Sequence, residues 1–210
     1  MSSSLVGSEM CIRDRRGLPQ SMKAQINKVL GGGDFKAKAK TTLSLVGGED
    51  GNIILSGLGK GDGITVHDYR KAGAAVFASI KKIHGNDFTV RFMDAGVAHM
   101  AAFAEGMMLR DYSYDNYKMK DDDNEDDSTK QIRLACSEKE AGELTSLVEK
   151  YRGIAKGVHL SRDLGNCPPN DMYPEEFADR AWEWAKQYDN VDVTIINYDP
   201  VSYTHLRAHE

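Results

Sequence analysis

The chain has 210 residues, 40% hydrophobic and 28% charged, an ordinary globular balance that excludes wholesale disorder and fibrous repeats. Its 27 lysines and arginines against 32 aspartates and glutamates give a formal charge of −5, a poor match for a phosphate backbone, so nucleic acid is not expected as a partner. Three cysteines (Cys11, Cys136 and Cys167) are too few for a disulfide scaffold or a four-thiolate zinc centre, and no apolar run approaches the roughly 20 residues that span a bilayer.

Residues 1–20 carry no helical or strand period and no apolar core of a secretory signal. Within them, residues 6–15 (VGSEMCIRDR) resemble translated sequencing-library adapter, as do residues 201–210 (VSYTHLRAHE), and both ends are set aside from the fold. His205 and His209, four apart with Glu210 beside them, would share a helix face, but no third metal ligand accompanies them.

Between the ends the pattern is α/β. Residues 22–30 are a mixed segment, strand or helix, before the breaker Gly31-Gly32-Gly33. Residues 40–46 (KTTLSLV) alternate as a strand, residues 47–51 make a turn, and the compact apolar run 52–58 reads as a strand buried on both faces. Asp68 is expected to cap a helix whose stripe is Ala72, Ala75, Val76, Ser79, Ile80 and Ile83. A strand over 87–93, an Ala- and Met-rich helix over 97–109 and a strand over 130–136 follow. The longest helical pattern, 138–164, carries Ala141, Leu144, Val148, Tyr151, Ala155 and Val158 on one face and ends at Pro168-Pro169. Pro174 opens a helix running to about Tyr188, and residues 191–196 (VDVTII) alternate as one more strand. The acidic run 120–127 reads as a solvated loop, because a calcium site needs an interleaved turn glycine and distant ligands.

No self-contained active site emerges. The glycine-rich stretch 57–63 (GLGKGDG) invites a phosphate reading, yet Gly61 replaces the Ser or Thr that would hold magnesium, and Asp62 and Ile64 break the dinucleotide spacing. There is no HExxH, GxSxG or CxxC. His67, His84, His99 and His159 each stand alone, Cys136 falls on the strand alternation as packing, and Cys167 lies near prolines with no base beside it.

Residues 154–175 (IAKGVHLSRDLGNCPPNDMYPE) are more specific. They resemble the inter-domain segment of the leucyl aminopeptidase family, the M17 metallopeptidases, at Gly157, Val158, Leu160, Arg162, Asp163, Leu164, Asn166, Pro168, Asn170, Pro174 and Glu175. Gly165 and Cys167 depart from it, where the family more often has a small apolar residue and a glutamate. Upstream, residues 57–60, 69–72 and 104–118 are similar to that family's Gly-Leu-Gly turn, the helix after it and its Glu-Gly to Tyr-Lys stretch, so the likeness covers roughly residues 22–199.

The resemblance implies a macro-domain-like N-terminal α/β domain, a mixed sheet flanked by helices, over residues 21–137. It further implies a linker helix and proline loop over 138–173, and the start of the catalytic α/β domain over 174–200. It implies a parent enzyme that removes N-terminal residues from peptides, with two divalent metals (zinc, manganese or magnesium) polarising the carbonyl and activating water. The implied parent is a cytoplasmic homohexamer. None of the family's metal ligands falls within this chain, so no catalytic, cofactor or metal residue is assigned, and the chain alone is expected to be inactive. The other reading is a stand-alone macro-like module that binds a nucleotide such as ADP-ribose, against which the failed phosphate loop counts. Trp182, Val193 and Ile195 are expected on an exposed apolar face.

Overall fold

The computed structural model describes residues 18–48, 51–59, 63–92, 95–117 and 129–196. The adapter-like segments with Cys11, His205 and His209, and the acidic run 120–127, lie outside the described residues.

Residues 22–30, ambiguous by pattern, fall in a helix, α1 (Gln20–Gly32). It buries Ile26 and stops at Gly33, whose φ of 76° lets its N–H turn back to the Leu30 carbonyl. Strands β1 (Thr42–Gly48) and β2 (Gly51–Ser56) form an antiparallel pair with Thr42 opposite Ser56 and Leu45 opposite Ile53. β2 is not buried on both faces as its apolar run suggested: Gly51 and Asn52 are exposed and Ile53 to Ser56 are half-buried. A strand bonded to one neighbour only does not reach the burial of a central strand.

Helix α2 (Val66–Ile80) starts one turn earlier than expected. Thr65, not Asp68, is its N-cap. The Thr65 hydroxyl accepts from the Asp68 amide while the Asp68 carboxylate accepts from the Thr65 amide at 3.0 Å, a reciprocal capping box. The hydrogen bond from the Thr65 hydroxyl, then that from the Thr65 amide, holds the Asp68 carboxyl below its usual pKa. Because the folded value lies below the unfolded one, the stabilisation is complete above the ordinary carboxylate pKa of about 3.9 and is lost as pH falls through Asp68's lowered value. Asp68→Asn therefore lowers the urea midpoint at pH 7, and its gap from the parent chain narrows as pH drops below about 4. A gap unchanged down to pH 2 would contradict the capping box.

Strands β3 (Asp87–Arg91) and β4 (Gln131–Ala135) pair in parallel, with Asp87 opposite Gln131 and Arg91 opposite Ala135. Helix α3 (Val97–Asp111) lies between them in the chain, as parallel neighbours require a crossover. The described strands thus form two pairs, β1–β2 and β3–β4, in an α/β arrangement flanked by helices. Cys136 falls just past β4, off the strand's alternation, and is exposed rather than packed; Cys167 is half-buried.

The core sits where α2 and α3 pack together. Tyr69, Ala72, Val76, Phe77 and Ile80 of α2 meet Phe103 and Met107 of α3, with Ile54, Phe88, Val90 and Ile132 of the strands against them. The long helix α4 (Glu138–Asn166) begins with Glu140 accepting from both the amide and hydroxyl of Ser137, which holds that carboxyl below its usual pKa. Its expected stripe is the inward face: Leu144 and Ala155 are buried and Ala141, Val148, Tyr151 and Val158 half-buried. Leu144 packs with Met100 and Ala101.

The chain divides into two compact units, Met1–Leu160 and Ser161–Glu210, the division falling inside α4. In the second unit, Pro174 opens α5 (Pro174–Ala185), where the missing amide of a first-turn proline costs nothing. Residues 186–188 continue only as tight turns, Gln187 bonding Trp184 and Tyr188 bonding Ala185. Residues 191–196 are not a strand: they alternate like one, but no described strand lies alongside to supply the ladder. Trp182 and Ile195 are exposed as expected, while Val193 is half-buried. Among the described residues, no helix is long and apolar enough to cross a membrane.

Candidate functional site

The α2–α3 contact is built on two glycines. A Cβ at Gly73 would lie 2.0 Å from the Phe103 carbonyl oxygen, and one at Gly106 would lie 1.9 Å from that of Arg70. Each glycine therefore admits the other helix's backbone, and the contacts are reciprocal: residues 70 and 73 of α2 meet residues 103 and 106 of α3. Beside this crossing, Arg70 donates through Nε to Glu105 at 2.7 Å, and a second guanidinium nitrogen lies 3.3 Å from His67 Nδ1. Glu105 is only 7% exposed, so Arg70 is what makes a buried carboxylate tolerable there. Arg70→Met strands that charge and destabilises the chain by about 2 kcal/mol, below the usual range for a fully buried pair because the arginine is partly solvated. Adding Glu105→Gln recovers part of the loss. Equal urea midpoints for Arg70→Met and the parent chain would refute the role.

A cavity of about 570 Å³ lies between elements of the first unit. Every residue of β2 and of β3 lines it, with Leu18, Met22 and Ile26 at the α1 end and Tyr69, Val76, Ile80 and Phe103 from the helix pair. His84 also borders it. Ser56 Oγ, at the end of β2, is buried without a hydrogen-bond partner.

The described start of the glycine-rich stretch, Gly57 to Gly59, is packed against residues 37–41 rather than open as an anion cradle. The Gly57 amide donates to the Thr41 carbonyl at 2.8 Å and the Gly59 amide to the Ala37 carbonyl at 3.0 Å, so neither is free for a phosphate. A Cβ at Gly57 would lie 2.3 Å from the Lys38 carbonyl oxygen, which explains the glycine by backbone approach. Residues 60–62 lie outside the described residues.

Each of the four described histidines has a different neighbour. His67 faces Arg70, His84 borders the cavity, and His99 and His159 meet Tyr69 and Tyr112 in tilted ring contacts, with centroids 4.8 Å and 5.3 Å apart. His159 Nε2 is buried without a hydrogen-bond partner. Among the described residues no three His, Cys, Asp or Glu side chains are grouped to hold a metal ion. The family-like stretch 157–175 covers the C-terminal end of α4, the proline loop and the first turn of α5, where Asn166, Asn170 and Glu175 are exposed and Asp163 and Pro168 half-buried. By pattern alone, Gly73 and Gly106 carry no assigned role. Their signal was two glycines inside otherwise Ala-rich helices, a costly choice without a packing reason.

The N-terminal domain of the cytosol aminopeptidase family matches residues 10–121. A Rhizobium etli protein named "Probable cytosol aminopeptidase" is 36% identical over 169 residues, covering 77% of this chain and 33% of that protein. A protein of the same name from Rhodopseudomonas palustris is 33% identical over 195 residues, covering 88% of this chain and 38% of that one. The chain thus spans about a third of the length of the curated relatives it matches. Among solved structures, a mutant tomato leucine aminopeptidase superposes with a TM-score of 0.68 at 20% identity, over 84% of this chain and 36% of that one. The bottromycin maturation enzyme BotP superposes with a TM-score of 0.61 at 23% identity, over 82% of this chain and 35% of its own. At such identities these two speak for the fold, and the sequence match carries the assignment: the chain belongs to the cytosol aminopeptidase family and includes that family's N-terminal domain.

Proposed function

We propose that this chain is the N-terminal, non-catalytic part of a leucyl-aminopeptidase-like metallo-exopeptidase, which removes N-terminal amino acids from peptides. The observation that carries the reading is the family's N-terminal domain over residues 10–121, in a chain that covers a third of the curated relatives. On this reading residues 21–137 are the macro-like domain, 138–173 the linker helix and proline loop, and 174–200 the start of the catalytic domain. No residue of the chain is then catalytic or a metal ligand. The whole protein holds two divalent ions, assembles as a homohexamer and works in the cytoplasm; metal use draws support from the manganese complex solved for BotP.

The test is hydrolysis of leucine p-nitroanilide with manganese supplied. The chain alone gives no release of nitroaniline above the blank, and a fusion carrying it ahead of a family member's catalytic part gives turnover. Turnover by the purified chain alone would overturn the reading.

A further inference from the structure

We draw no further inference here: the strongest candidate, the exposed aromatic stripe along α5 formed by Tyr173, Phe177, Trp184 and Tyr188, is an unpartnered apolar face, and nothing in the structure shows what covers it.

Discussion

Gly73→Ala and Gly106→Ala each destabilise the chain by about 2–3 kcal/mol, although alanine is the better helix former by about 1 kcal/mol. The added methyl would sit 2.0 Å from the Phe103 carbonyl oxygen in one case and 1.9 Å from that of Arg70 in the other. Those oxygens belong to helical backbone and cannot move alone, so α2 and α3 must separate by roughly 1 Å, which forfeits much of the dispersion contact along the crossing. Ala72, Val76, Phe103 and Met107 lose packing together. Gly153→Ala in α4 is the control, since that glycine is exposed and a methyl added there would meet nothing within 4 Å. It should stabilise by about 0.5–1 kcal/mol through helix propensity alone. Urea unfolding of the three variants reads the sign directly. The double variant Gly73→Ala/Gly106→Ala should cost less than the sum, because helices already parted by one methyl admit the second more cheaply. A neutral or stabilising Gly73→Ala would mean the helices are not in backbone contact.

The helices were legible because their apolar residues recur at the helical period. The stripe of α4 from Ala141 to Val158 is inward-facing as read, and Pro174 marks the start of α5. Local chemistry resolved less well. The capping pair Thr65 and Asp68 was visible in the sequence, but reading Asp68 as the cap misplaced the start of α2, since either residue type can serve there. Residues 191–196 alternate as convincingly as β3 does. Strand formation depends on a neighbour, however, and a neighbour is not a property of the segment. Cys136 lies one position past the strand whose alternation would bury it, as β4 ends at Ala135. The cavity was not legible at all. It is lined by β2, β3 and three helices distant in sequence, and the unpartnered Ser56 hydroxyl has meaning only once those elements are in place. The family was legible from residues 154–175 because they match a specific pattern, while no catalytic grouping could be read from them by spacing or residue type.

Ile80→Ala costs about 3 kcal/mol. Ile80 is 1% exposed at the last turn of α2, packed in the same cluster as Val76, Phe77 and Phe103. Removing three carbons there loses their transfer free energy and leaves a void that the glycine-packed helix pair cannot close, because α2 is already in backbone contact with α3. Ile80→Val, one carbon smaller, should cost about 1 kcal/mol, and Val46→Ala on the exposed face of β1, where Val46 is 68% exposed, should stay within about 0.5 kcal/mol. The gradient from Val46 through Ile80→Val to Ile80→Ala tests whether the core lies where α2 packs on α3. If Ile80→Ala and Val46→Ala shift the urea midpoint equally, that core is misplaced.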